Sequence, residues 1–335
     1  MSKHRKALIL AALLASNLLL AKPTNLTIYS EEFFAAEWGP GQEIKALFEK
    51  SHPQCEITFI PFDSRATILN RLRLEGKNTK ADVVLGLDNQ QIESAEKTRL
   101  FDAHQVDLSS LSLPVAWKNQ TFLPYDFGQY AFIYDKSKLK NPPQSMQELL
   151  ERKDLRIIYQ DPRTSSLGRG LIIWINSLYP QEQVPHIWQQ LAQHTVTVGK
   201  GWTETYGAFL KEEADLVFSY DTSPLYHLLN EQKDQYSAAK FSEKSVLQIE
   251  TVAKIAGRHN TCADSFLPFL ISPEAQKIII PKNVMLSVIN ANIEPHYDAL
   301  KAEKTEEKNI DPLSISDAQL KQWIDVWQTA VSKSQ

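Results

Sequence analysis

Between residues 26 and 87 the chain alternates short apolar strands with amphipathic helical runs, and this alternation restricts its fold more than any other feature. Strand-like residues 26–30, 56–62 and 81–87 are separated by a helical period carrying Ile44, Leu47 and Phe48, then by helical residues 67–74. Strands joined through helices cannot pair as hairpins, so the β-α-β-α-β order predicts a parallel sheet with helices packed on it. Each strand opens into a polar loop: Glu31 and Glu32, then Asp63, Ser64 and Arg65, then Asp88 and Asn89. Ligands of open α/β sheets sit beyond the carboxyl ends of the strands, so Glu31, Asp63, Ser64 and Arg65 are expected at one mouth.

A second α/β unit follows. Periodicity weakens over residues 108–124, and the segment PYDFG at 124–128 reads as a crossing into a strand at 129–135. Ser145 and Glu148 have capping-box spacing, strand 156–160 leads into the polar loop 161–166, and residues 171–178 read as an apolar helix. Helix 183–192 and strand 195–198 precede the stretch GWTETYGAFLKEEADLVFSYDTSPLYH, residues 201–227. Within it, strand 214–220 meets a turn in which Thr222 or Ser223 is placed to cap a helix and Pro224 suits its first turn. Polar groups thus gather at a strand end, which makes Trp202, Tyr220, Asp221, Thr222, Ser223 and Tyr226 site candidates. The same residues also fit a plainer account of two core aromatics and a helix cap.

A strand over 247–256 is long enough to return the chain to the first unit, and Ser272-Pro273 starts another helix. The last helix has Ser316 and Gln319 at capping-box spacing and an apolar stripe of Leu320, Trp323, Ile324, Trp327 and Val331, which reads as packing. Two units are therefore expected: residues 22–124 with 245–335, the terminal helix included, and residues 125–244. The basic start Lys3–Lys6, the apolar run 7–20 and Ala21 read as a cleaved secretory signal over residues 1–21. About 14 apolar residues fall short of the roughly 20 that span a bilayer.

Composition narrows the partners. A net charge of −4 with no sustained basic run after the first residues argues against nucleic acid and toward small molecules or proteins. Cys55 and Cys262 are the two cysteines of an exported chain, and the sequence leaves open whether they pair. His259 and Cys262 supply at most two ligands, so neither a metal nor a cofactor is expected. The chain shows no phosphate loop, dinucleotide fingerprint, HExxH or GxSxG, and nothing in the order of its Ser, His and Asp residues singles out a nucleophile with its base. A binding protein is expected rather than an enzyme, with a periplasmic hydrolase as the alternative.

Several long segments carry a resemblance: FAAEWGPG (34–41), LNRLRLEGKNTKADVVLGLDN (69–89), YDKSKLKNPPQS (134–145), YQDPRTSSLGRGL (159–171) and the stretch 201–227. Through them the mature chain resembles, over essentially its whole length, the periplasmic thiamine-binding solute receptors of bacterial ABC importers. The resemblance implies an α/β two-lobe periplasmic binding protein of type II, with lobes joined by hinge strands. It implies a monomer in the periplasm that closes on thiamine, its phosphates or a related small cation and serves an inner-membrane permease and its ATPase. The ligand positions it implies are Ser64, Arg65, Ser166, Leu167, Trp202 and the run Tyr220, Asp221, Thr222, Ser223, with Tyr226 nearby. The chain departs from the family pattern where Glu31 stands for a Tyr, Val284 for a Trp, Ser64-Arg65 for an acidic residue and Gly, and Asp221 for a Thr. These departures keep a polyamine receptor as the alternative within the class. A ferric receptor fits less well, because Tyr220 has no adjacent tyrosine.

Overall fold

The computed structural model describes residues 22–305, 308–310 and 315–333; the signal segment expected over 1–21 lies outside the described residues. The first unit runs β1 (Thr24–Glu31), α1 (Glu32–Ala35), α2 (Gly41–Ser51), β2 (Cys55–Phe62), α3 (Arg65–Glu75), β3 (Val83–Asp88), α4 (Ile92–Glu96) and β4 (Phe101–Asp102). As the alternation predicts, β1 pairs in parallel with both β2 and β3. Their carboxyl ends therefore share one edge.

Strand β5 (Leu123–Asp135) is longer than expected, because the PYDFG segment belongs to the strand itself. Tertiary pairing overrides its turn-prone composition: Leu123–Gln129 pair with β10 (Ser245–Ile255), and Tyr130–Tyr134 pair with β8 (Leu216–Tyr220). Gly128 permits this close approach, since a Cβ there would lie 3.0 Å from the Met285 sulfur and 3.2 Å from the Tyr220 ring. Strand β5 is thus shared between two sheets.

The second unit contains α5 (Met146–Glu151), β6 (Ile157–Gln160), α6 (Ser166–Leu178), α7 (Val184–Ala192), β7 (Thr195–Gly199), α8 (Trp202–Leu210), α9 (Ser223–Glu231) and β9 (Tyr236–Ala238) around β8. Helix α6 starts five residues before its expected beginning, capped by Ser165, whose Oγ accepts the Leu167 N–H at 3.2 Å. The glycine there serves packing and does not break the helix: a Cβ on Gly170 would lie 2.2 Å from the Tyr130 ring. The cap read at Ser145 is present, and Ser272, at the expected helix start, also caps its helix; each accepts a backbone N–H three residues on. The cap expected at Thr222 or Ser223 is not formed by either side chain. Thr222 is in the αR region, and the Ser223 hydroxyl bonds Ser219 Oγ at 2.8 Å instead.

From β10 the chain returns to the first unit through α10 (Thr261–Leu270), α11 (Pro273–Asn283), β11 (Leu286–Ser287) and α12 (Pro295–Ala302). Cys55 at the start of β2 is disulfide-bonded to Cys262 in α10, which ties this return segment to the first sheet. After β12 (Asn309–Ile310) comes α13 (Asp317–Ser332), capped by Ser316 as expected. Its position corrects the expectation that it joins the first unit. Leu320, Trp323 and Trp327 belong to the apolar core of the second unit, and α13 lies on α6 and α7. Trp327 Nε1 donates to Tyr159 Oη at 3.0 Å and Trp323 Nε1 to Gln181 Oε1 at 2.9 Å. An amphipathic stripe states which face is buried and not which neighbour buries it.

One core holds the first unit, from Leu26 to Phe127 and again from Leu247 to Tyr297. Separate cores lie on the two faces of the second sheet. Two bodies joined by β5 and β10 are the result, and the polar residues of those two crossing strands lie between them.

Candidate functional site

The crossing strand β10 carries Gln248 and Glu250 two residues apart, hence on the same face, and both are buried. Gln248 Oε1 accepts the phenol protons of Tyr130 on β5 and Tyr220 at the end of β8, each at 2.8 Å. Gln248 Nε2 donates to Glu250 Oε1 at 3.1 Å. The second Glu250 oxygen accepts from Tyr125 Oη at 2.7 Å and Asn283 Nδ2 at 3.1 Å. Both crossing strands and both lobes thus enter one hydrogen-bond network.

Arg65 enters it from the first lobe. Ser64 caps α3 by accepting the Thr67 N–H at 3.2 Å, which places Arg65 in the first helical turn. Arg65 Nε donates to the Gly86 carbonyl at 2.7 Å, while Nη2 bonds Glu250 and lies 2.9 Å from Glu31 Oε2. Glu31, Glu250, Asp88 and Asp126 are four carboxylates in electrostatic reach of this one guanidinium. Burial pulls the Arg65 pKa down, but Glu250 and then Glu31 outweigh it and hold the guanidinium charged. Burial pushes Glu31 up to about 7 against the pull of Arg65. Asp126 is driven well above the carboxylate range by burial, with Glu250 adding to the shift. Asp88 Oδ2 is buried without a hydrogen-bond partner among the described residues. The surplus of acid suits a cation.

The second lobe adds aromatic surface. Tyr220 stacks on Tyr130 with centroids 5.5 Å apart. Trp202, the first residue of α8, is 40% exposed, and its Nε1 donates to Ser219 Oγ at 2.8 Å, one residue before Tyr220. Ser223 shares that serine, and Tyr226 is exposed on the next turn of α9. Glu31, Arg65 and Tyr220 therefore meet beside the crossing strands, while Trp202 and Ser223 gather on Ser219, the preceding residue of β8.

Other candidates sit elsewhere or act otherwise. Asp63 is exposed at the bend before α3. Leu167 is buried in the second core, and the Ser166 carbonyl accepts from Gln90 Nε2 at 3.1 Å, a bond between lobes. Thr222 is fully buried. Asp221 is buried and ion-paired with Lys304, itself 7% exposed, so its charge is already matched within the protein. Burial still raises the Asp221 pKa, with Lys304 opposing. Val284 ends α11 in the left-handed region at φ 54°. The sequence reading missed Gln248, Glu250, Tyr125, Tyr130, Gln90 and Asn283. None of them carries a decisive local signal: Gln248 and Glu250 share β10 with the polar residues Ser245, Thr251 and Lys254.

Residues 39–281 match the bacterial extracellular solute-binding protein family. The chain belongs to that family. It is a solute-binding receptor and not an enzyme. It is 55% identical over 326 residues to the thiamine-binding periplasmic protein of Haemophilus influenzae, covering 97% of this chain and 98% of that one. It is 47% identical over 323 residues to the protein of the same name in Escherichia coli, covering 96% and 97%. A solved periplasmic thiamin binding protein superposes with a TM-score of 0.83 at 45% identity, covering 92% of this chain and 96% of that chain. A ferric binding protein from Campylobacter jejuni reaches a TM-score of 0.73 at only 17% identity and shares the fold alone. The two-lobe periplasmic binding fold expected from the resemblance is the fold observed.

Proposed function

We propose that this receptor works in the periplasm, closes around thiamine and delivers it to the inner-membrane permease and ATPase of an ABC importer, acting as a monomer. The observation that carries the reading is identity of 55% along nearly the whole of a thiamine-binding relative. The geometry is compatible with it. Thiamine joins a cationic thiazolium to a flat aminopyrimidine; carboxylates of the first lobe and hinge suit the charge, and the rings of Tyr220 and Trp202 suit the planes. Closure follows from differential affinity, since a ligand that touches both lobes binds the closed form better than the open one.

Of the candidate residues, Glu31, Arg65, Trp202, Tyr220, Ser223 and Tyr226 are proposed to line the ligand cleft. Ser166 and the Ser64 cap position their neighbours. Calorimetric titration of the mature protein with thiamine tests the reading, with spermidine as competitor because the carboxylates also suit a polyamine. Trp202→Ala should weaken thiamine binding about tenfold or more and leave the ligand-free melting temperature nearly unchanged. Spermidine binding without thiamine binding would replace thiamine by a polyamine.

A further inference from the structure

Trp202 lies at a helix start, where an exposed indole would ordinarily exchange between rotamers. Two contacts prevent that here. Its Nε1 is fixed by the Ser219 hydroxyl, and one ring face stacks on Tyr206 at 4.8 Å with an interplanar angle of 19°. Tyr206 is itself 3% exposed, and its hydroxyl meets His227 Nε2 at 3.0 Å. On the other side His227 Nδ1 lies 2.8 Å from Glu231 Oε2. A carboxylate can only accept, so Nδ1 carries a proton and donates it to Glu231. The rings of Tyr206 and His227 are nearly parallel, at 10°. Burial raises the Tyr206 pKa, which keeps its hydroxyl a donor.

We propose that Tyr206, oriented by His227, is a positioning residue that presets the Trp202 ring so that its free face is ready for a flat cationic heterocycle. The inference rests on Trp202 facing the ligand, as proposed above. A ring already held in one rotamer loses less conformational freedom when a ligand stacks on it, so binding retains more of the stacking energy. His227, which also packs against the Tyr236 ring at 4.4 Å, and Glu231 then have a use beyond core packing. They lock the layer beneath the platform.

The test uses the full mature protein labelled with 5-fluorotryptophan, read by fluorine NMR without ligand and by thiamine titration. Trp202→Phe assigns the Trp202 resonance. That resonance should be single and sharp in the parent and broadened or split in Tyr206→Leu, which removes the flat support. Thiamine binding should weaken about three- to tenfold in the same variant. Tyr206→Phe keeps the stack and cuts the bond to His227, so it should broaden the resonance less and weaken binding about twofold. If Tyr206→Leu does not fold, Tyr206→Phe carries the test alone. A Trp202 linewidth and a thiamine affinity both unchanged in the variant that folds would overturn the positioning role. Trp202→Ala with full thiamine affinity would instead remove Trp202 from the ligand site, a failure of the underlying reading that the linewidth does not report.

Discussion

Glu31 Oε2 and Arg65 Nη2 lie 2.9 Å apart, joining two of the positions at which this chain departs from its family's pattern. Glu31 alone would add one more buried acid beside Glu250 and Asp88, and Arg65 is the cation that matches it. Together they form one wall of the proposed cleft. Glu250 on the hinge strand is the third member and ties that wall to the crossing point.

The pair makes thiamine binding depend on pH. Glu31 has a folded pKa of about 7 against an ordinary 4.5. Between those values the ligand-free folded protein holds a proton that the unfolded chain has lost. Its stability therefore falls as pH rises through that window, and the loss is complete above about pH 7. A cation in the cleft favours ionised Glu31, so affinity should rise from about pH 5.5 to about pH 8 and binding should release protons in the lower part of that range. Glu31→Gln should flatten both profiles. Titration in two buffers of different ionisation enthalpy measures the protons released, and an unchanged pH slope in the variant would count against Glu31.

Charge also bears on phosphorylation. With Asp221 already matched by Lys304, the carboxylate surplus comes from Glu31, Glu250 and Asp88 beside a single Arg65. That balance favours unphosphorylated thiamine over thiamine pyrophosphate, and in a cleft closed to water the preference should change little with salt. Calorimetry at two ionic strengths decides both clauses. Equal or tighter pyrophosphate binding would mean that Arg65 turns toward the phosphates.

The buried Lys304–Asp221 pair should bear on stability. Both side chains are 7% exposed, and Lys304 also donates to Gln129 Oε1 at 3.1 Å beside the hinge. Lys304→Met would leave a buried carboxylate without its cation, at a cost of about 3–5 kcal/mol. Adding Asp221→Asn should recover most of that loss. Urea unfolding of the single and double variants reads the difference, and equal stabilities would show that the pair is dispensable.

Local signals were read well and distant ones were not. Ser145, Ser272 and Ser316 announce their helices because a cap and its N–H lie three residues apart in the chain. The ion pair of Asp221 has no local signal because its partner stands 83 residues away. The start of α6 was hidden because Gly168 and Gly170 signal flexibility in a sequence, whereas here they admit neighbouring groups to close contact. Half of the site was legible at strand ends, as Tyr220 and Arg65 were. The floor was not, because Gln248, Glu250 and Tyr125 acquire meaning only when β5 and β10 cross.

The terminal helix offers a last prediction. Its apolar stripe is committed to the second lobe, yet its first residue bonds the first lobe: the Asp317 N–H donates to Glu93 Oε2 at 2.6 Å, and its carboxylate accepts from Ser94 Oγ at 2.7 Å and Lys97 Nζ at 3.1 Å. Beside these bonds Leu69 and Gln90 of one lobe and Arg169 and Leu320 of the other line a 270 Å³ groove, which Arg169 Nε bridges by donating to Gln90 Oε1 at 3.2 Å. At this edge the lobes therefore meet through polar bonds across a gap, and such bonds break more readily than a packed core when the bodies move apart. If closure makes them, Asp317→Ala shifts the equilibrium toward the open form. Partly exposed ion pairs are worth about 0.2–1 kcal/mol, so apparent thiamine affinity should fall by a factor of about two to five with no change at the ligand itself. Small-angle scattering of the ligand-free variant should report a larger radius of gyration than the parent, and the two should coincide at saturating thiamine. Identical affinity and identical scattering would place the contact at a part of the hinge that stays joined in both states.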